Sequence, residues 1–125
     1  MGRIRQNINV GGRDFWTMFD TGARNNYVVP AVAQLLTVSK AEHPIRTALR
    51  GGTKQADTFA LLQAEIEGHP ISALALVVDK IGSDEEGKAI EILFGALAMQ
   101  QWGIRLVPEE AVLDMSHYPK VFVEF

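Results

Sequence analysis

Residues 15–23 read Phe-Trp-Thr-Met-Phe-Asp-Thr-Gly-Ala, and this stretch decides both the fold and the candidate function. Residues 15–19 are predominantly apolar at both alternating positions of a predicted strand. A strand that is apolar on both faces is typical of one that crosses a protein interior. It ends at Asp20, and a carboxylate in such a place is costly unless it is hydrogen-bonded or used. Thr21 adds a hydroxyl, and Gly22 allows a backbone or a ligand to approach closely.

Short strands and glycine-rich turns dominate the rest of the chain. Ile4, Ile8 and Val10 lie on one face of a predicted first strand, and Gly11-Gly12 is suited to a hairpin turn. Residues 58–67 alternate between apolar and polar side chains, and after a turn residues 71–78 return as a buried strand. Further strands are predicted at 27–29, 90–94, 104–107, 112–115 and 121–125, and short helices at 31–36 and 96–102. The pattern predicts an all-β fold, a barrel or a sandwich, with one or two short helices.

Size and composition are those of one globular domain, which we expect to span residues 1–125. The chain has 125 residues, of which 47% are hydrophobic, so it is long enough to bury a core. It contains no cysteine, which excludes disulfides and thiolate metal sites. No apolar run approaches the roughly 20 residues that span a bilayer, and the first residues lack the apolar core of a signal peptide. We therefore expect a cytoplasmic protein without a membrane partner.

Charge argues against a nucleic-acid partner. The net charge is −3, and the sequence has no long run of lysine or arginine to neutralise phosphates. Four arginines do make the N-terminal part basic, but we interpret them as a solvated face. They are Arg3, Arg5, Arg13 and Arg24.

Asp20-Thr21-Gly22-Ala23 resembles the active-site signature of the retropepsin-like aspartic proteases, and other segments are similar to that family in the same order. Residues 4–19 resemble the leading hairpin, and residues 27–36 resemble the strand and short helix after the signature. Residues 49–53, Leu-Arg-Gly-Gly-Thr, look like the glycine-rich flap. Leu93-Phe94-Gly95 looks like the strand before the C-terminal helix. The resemblance covers about residues 3–107.

This resemblance implies a retropepsin-like closed β-barrel that works as a homodimer and hydrolyses a polypeptide substrate. Each subunit would supply one Asp20, and the two carboxyl groups would share a proton and activate a water molecule. Thr21 would orient the catalytic pair and Gly22 would complete the signature. No metal or organic cofactor is implied. The implied substrate-binding residues are Ala23, Arg24, Leu49, Gly51 and Gly52, the two glycines in a flap that closes over substrate.

Departures from the family pattern leave an alternative open. Arg24 and Asn25 stand where the family often has an aspartate, and Ala96 follows Gly95, so the family's usual ion pair near the helix cannot form. A catalytically silent retropepsin-like dimerisation or peptide-binding module is therefore the alternative. A third interpretation is a generic small β-barrel in which Asp-Thr-Gly is a coincidence.

Other polar clusters predict no competing chemistry. The acidic loop at residues 82–88 lacks the spacing of a calcium-binding EF-hand loop, and we expect it to be solvated. His43, His69 and His117 lack metal-ligand spacing. The segment 121–125 alternates well enough to be an interface strand.

Overall fold

The computed structural model describes residues 2–49 and 52–124, and most of them lie in β-strands. The helices are α1 (Pro30–Ala33) and α2 (Ala96–Gln101). The strands are β1 (Arg3–Val10), β2 (Arg13–Asp20), β3 (Asn26–Val28), β4 (Thr37–Leu49), β5 (Gly52–Ile66), β6 (His69–Val77), β7 (Gly82–Ser83), β8 (Ala89–Ile90), β9 (Ile92–Phe94), β10 (Arg105–Val107) and β11 (Val112–Asp114). The predicted all-β class with short helices is confirmed. Neither of the described helices has the length and apolar character needed to cross a membrane.

Seven strands form one sheet that closes on itself. Their order is β1-β2-β9-β3-β6-β5-β4, and β1 also pairs with β5, where Asn9 lies opposite Glu65. Strand β9 is inserted between β2 and β3, parallel to the first and antiparallel to the second. The strands that carry the Asp-Thr-Gly and Leu-Phe-Gly segments are therefore direct neighbours in the sheet.

Strand β2 is buried on both faces, as its sequence predicts. Phe15 and Phe19 belong to one hydrophobic cluster, whereas Met18 belongs to a second cluster, against which half-buried Trp16 also packs. Thr17 is fully buried, and its hydroxyl donates to the carbonyl oxygen of Phe15 at 3.1 Å. The interior strand leads directly to Asp20.

Two features of the chain differ from the prediction. Strand β4 was not predicted, because most of its residues are exposed and give no apolar alternation; it is held by antiparallel pairing with β5. The strand predicted at 121–125 is wrong for the described residues 121–124, which form no strand. There Phe122 packs edge-on against Trp102, with ring centroids 5.3 Å apart. Aromatic packing against the end of α2 therefore takes the place of strand pairing. Phe125 lies outside the described residues.

The acidic loop is solvated at Glu85 and Glu86, but the prediction is wrong for Asp84, which is buried. One oxygen of Asp84, Oδ1, accepts hydrogen bonds from the backbone N–H groups of Glu86 and Lys88, each at 2.9 Å. Its Oδ2 accepts one from the Trp16 indole at 2.9 Å. Burial by itself would raise the pKa of Asp84, but the hydrogen bonds from Lys88, Trp16 and Glu86 lower it, and the lowering prevails.

We expect Asp84→Asn to destabilise the protein at neutral pH and to make its loss of stability in acid shallower. The asparagine NH₂ group is a hydrogen-bond donor, and it would face either the indole N–H or the backbone N–H groups. Two donors would then face each other, and that hydrogen bond would be lost. A carboxyl whose pKa is lowered on folding contributes stability above its unfolded pKa of about 3.9 and loses it as pH falls through the folded value. Urea unfolding at several pH values measures both effects. Asp14→Asn, at an exposed position of β2, is the control, and superimposable curves for the two variants would contradict the prediction.

Candidate active site

Asp20 is the last residue of β2, and the chain turns sharply after it. Its side chain is almost fully buried, and Oδ1 accepts a hydrogen bond from the Gly22 N–H at 2.8 Å. The carbonyl oxygen of Asp20 accepts a second bond from the Ala23 N–H at 3.1 Å. The carboxylate is thus held by its own turn at the mouth of the interior strand, as the sequence predicts.

Arg3 pairs with the other oxygen of this carboxylate. The two residues are directly opposite in the β1–β2 ladder, and Arg3 Nε donates to Asp20 Oδ2 at 3.2 Å. This pair was not predicted from the sequence, although the Gly11-Gly12 turn sets the register and counting outward from it brings residue 3 opposite residue 20. The Arg3 side chain is 46% exposed, so the ion pair is worth at most about 1 kcal/mol.

Thr21 is held by the residue that precedes β1. Its N–H donates to the Gly2 carbonyl oxygen at 3.1 Å, and its Oγ1 accepts from the Gly2 N–H at 2.9 Å. Thr21 lines a neighbouring cavity of about 620 Å³ between α2 and β10 rather than the cleft at Asp20. The structure therefore separates the threonine from the predicted substrate-binding residues.

The loop after Asp20 is fixed by the Leu93-Phe94-Gly95 segment. Gly95 N–H donates to the Asn26 side-chain oxygen at 2.8 Å, a contact between buried groups that the sequence did not reveal. A Cβ atom on Gly95 would lie 2.3 Å from the Asn25 carbonyl oxygen, so only glycine fits. Beyond it, the N–H of Ala96 donates to the Ala23 carbonyl oxygen, and that of Leu97 donates to the Arg24 carbonyl oxygen at 3.3 Å. The start of α2 thus anchors residues 23 and 24.

A cleft of about 440 Å³ lies between this loop and the end of β4. It brings together five of the predicted site residues: Asp20, Gly22, Ala23, Arg24 and Leu49. Tyr27, which sequence analysis did not assign to the site, also lines the cleft, and its hydroxyl lies 2.6 Å from that of Thr47. Gly52 does not line the cleft, and Gly51 lies outside the described residues.

Arg3 and Arg24 are the cations, and Asp20 is the only carboxylate, among the described residues that line this cleft. In residues 2–49 and 52–124, no group of three or more His, Asp or Glu side chains is arranged to hold a metal ion. The arrangement offers a buried carboxylate beside an open cleft, which is suited to general acid–base chemistry.

Comparison with known sequences identifies one matching family. The sequence profile of a family described as aspartyl protease matches residues 7–96. This range contains every described residue that lines the cleft except Arg3. A search of curated proteins finds no match.

Solved structures with the same fold come from viruses and from a protozoan. The retroviral protease-like domain of Ddi1 from Leishmania major has a TM-score of 0.64 at 13% identity, covering 95% of this chain and 94% of that one. EIAV protease, in complex with the inhibitor HBY-793, has a TM-score of 0.54 at 17% identity, covering 85% and 93%. The foamy viral protease-reverse transcriptase, in complex with an RNA/DNA hybrid, has a TM-score of 0.56 at 11% identity; the match covers 80% of this chain but 12% of that one. These likenesses confirm the predicted retropepsin-like fold.

Proposed function

Since the chain belongs to the aspartyl protease family, we propose that it is an aspartic endopeptidase that hydrolyses peptide bonds through Asp20. The observation that carries this proposal is the position of Asp20: it is nearly buried at the end of an interior strand, yet it borders an open cleft. The cleft separates it from the end of β4, so a bound peptide would pass directly over the carboxylate.

The chemistry needs two carboxyl groups, whereas the sequence contains a single Asp-Thr-Gly. We therefore propose a homodimer in which a two-fold axis brings two copies of Asp20 face to face. Two adjacent carboxylates cannot both remain ionised, so they share one proton. The ionised group takes a proton from water, whose oxygen attacks the scissile carbonyl carbon, while the protonated group donates its proton to the carbonyl oxygen.

The contacts of Arg3 are compatible with such a dyad. An ion pair with a half-exposed arginine is worth at most about 1 kcal/mol, so a second carboxyl group can displace Arg3 from Asp20 Oδ2 at little cost. The bond from Gly22 N–H to Oδ1 lies within the turn and need not change. Thr21 would then support the dyad through its backbone position next to Asp20.

The substrate would bind as an extended strand in the cleft, with its side chains alternating between pockets. Leu49 and Leu93 supply apolar walls, while Ala23 and Gly22 leave room beside the carboxylate. The resemblance to the family implies that the glycine-rich flap, which contains Gly52 and the undescribed Gly51, closes over the peptide and excludes water.

A catalytically silent peptide-binding dimer is the second candidate. The Arg3–Asp20 ion pair favours it, because a carboxylate that keeps this partner at Oδ2 is not free to share a proton with a second copy. Both candidates use the same cleft and the same dimer, and they differ only in whether Arg3 leaves Asp20.

Incubating the purified chain with an unstructured protein and a peptide library, from acidic to neutral pH, tests the proposal. We expect cleavage at defined peptide bonds, and sedimentation velocity should give twice the chain mass. A dimer that binds peptides but leaves all of them intact would support the silent alternative. A strict monomer at high concentration would contradict both candidates.

A further inference from the structure

Arg24 is the residue of the cleft whose chemistry the hydrolytic mechanism does not use. It lines the same cavity as Asp20, and its side chain is exposed. Arg3, the other cation there, is already paired with Asp20 Oδ2. Within residues 2–49 and 52–124, the Arg24 side chain has no hydrogen-bond or ion-pair partner. The cleft therefore carries one uncompensated positive charge per chain.

The backbone of Arg24 is held in place, while its guanidinium makes no hydrogen bond or ion pair with the described part of the chain. Its carbonyl oxygen accepts a hydrogen bond from the Leu97 N–H at 3.3 Å, and its backbone lies so close to Gly95 that a Cβ atom there would clash with it. Because the backbone is already ordered, only the side chain loses conformational freedom when a ligand binds. This arrangement leaves the Arg24 side chain available to bind a ligand.

We propose that Arg24 makes the enzyme select peptides that carry an acidic side chain beside the scissile bond. This inference rests on the proposed peptide-binding function of the cleft. A guanidinium can bind a carboxylate with two parallel hydrogen bonds, a geometry that a neutral amide cannot match. In a two-fold symmetric dimer, the two copies of Arg24 lie on opposite sides of the dyad. An acidic substrate residue on either side of the scissile bond can therefore form an ion pair with one copy of Arg24.

The remaining lining of the cleft fits the stem of an acidic side chain. Tyr27, Leu49 and Leu93 provide an apolar surface for its methylene groups. The only described carboxylate in the lining, Asp20, pairs with Arg3 in this structure. In the proposed dyad it would instead share a proton with the second Asp20, so in neither case does it neutralise Arg24. A basic substrate side chain would meet the like charge of Arg24 and is disfavoured.

Paired peptides that differ only by Glu or Gln at positions flanking the cleavage site test this selection. We expect kcat/KM for the Glu peptide to exceed that for the Gln peptide by about fivefold to tenfold at low salt, and the ratio to fall as salt screens the contact. Arg24→Gln should bring the ratio to about one, and Arg24→Glu should favour a Lys peptide over the Glu peptide. The matched control is Arg13→Gln, at the opposite end of β2, which should leave the wild-type ratio unchanged.

A peptide-binding measurement tests the selectivity of Arg24 independently of the proposed hydrolysis. Fluorescence polarisation of the same labelled peptides with the Asp20→Asn variant reports selection without cleavage. The inference is supported if the Asp20→Asn variant binds the Glu peptide more tightly than the Gln peptide and if the double variant Asp20→Asn/Arg24→Gln does not. This result would count even if no peptide is ever hydrolysed. Equal affinity for the two peptides, or no binding of either, overturns it. Cleavage without any preference for Glu would leave the protease proposal intact and refute the role of Arg24.

Discussion

Asp20→Asn should abolish peptide hydrolysis by this protein while leaving its fold intact. An amide cannot take a proton from water at neutral pH, and general acid–base groups typically contribute about a hundredfold to ten-thousandfold to the rate. We therefore expect kcat to fall by at least about a hundredfold. The side-chain oxygen of asparagine can still accept the Gly22 N–H, so the turn after β2 is preserved. Initial rates on a fluorogenic peptide, together with sedimentation velocity, measure both outcomes.

The control for this variant is Asp14→Asn. Asp14 lies on the same strand, but it is exposed and does not line the cleft. The same change of carboxylate to amide there should alter the rate by less than about twofold, since surface substitutions away from special features usually have small effects. Hydrolysis by the Asp20→Asn variant at the wild-type rate would assign the activity to another group or to a contaminant.

Gly95→Ala should strongly destabilise the protein, because the position has no room for a methyl group. Its Cβ would lie 2.3 Å from the Asn25 carbonyl oxygen and 2.8 Å from that of Arg24, so the backbone must move. That movement strains the packing and weakens the bonds that anchor residues 23 and 24 to α2. Overpacking and lost hydrogen bonds together lower the free energy of unfolding by about 2–4 kcal/mol. Urea unfolding measures the change.

Gly52→Ala is the matched control, since it adds the same methyl group at the start of β5. The nearest atom to a Cβ there is the Leu49 carbonyl oxygen, at an ordinary contact distance of 3.8 Å, and Gly52 does not adopt a positive φ. Its free energy of unfolding should stay within about 0.5 kcal/mol of the wild-type value. If Gly95→Ala were equally well tolerated, the close approach of β9 to the loop after Asp20 would not be a constraint on the fold.

Elements with a strong apolar pattern could be predicted from the sequence, whereas those without one could not. Strand β2 was evident because residues on both of its faces are apolar, and β5 because its second half alternates. Strand β4 has mostly exposed side chains, so its extended backbone depends on pairing with β5 and leaves no periodic signal. The aromatic contact of Phe122 with Trp102 likewise overrode the alternation in 121–124.

The candidate site also has features that the sequence predicted and features that only the structure revealed. The residues drew attention to Asp20, because a carboxylate at the end of an interior strand is unusual, and the resemblance to the protease family predicted its role. Only the tertiary structure decided what surrounds that carboxylate: Arg3 at Oδ2, the Asn26 side chain bonded to Gly95, and Arg24 in the same cleft. Apolar periodicity indicates which side chains face the core, but it is a property of residues that are close in sequence. It does not show which distant residues come into contact. The bond between Asn26 and Gly95 joins positions 69 residues apart and exists only once β9 has entered the sheet between β2 and β3.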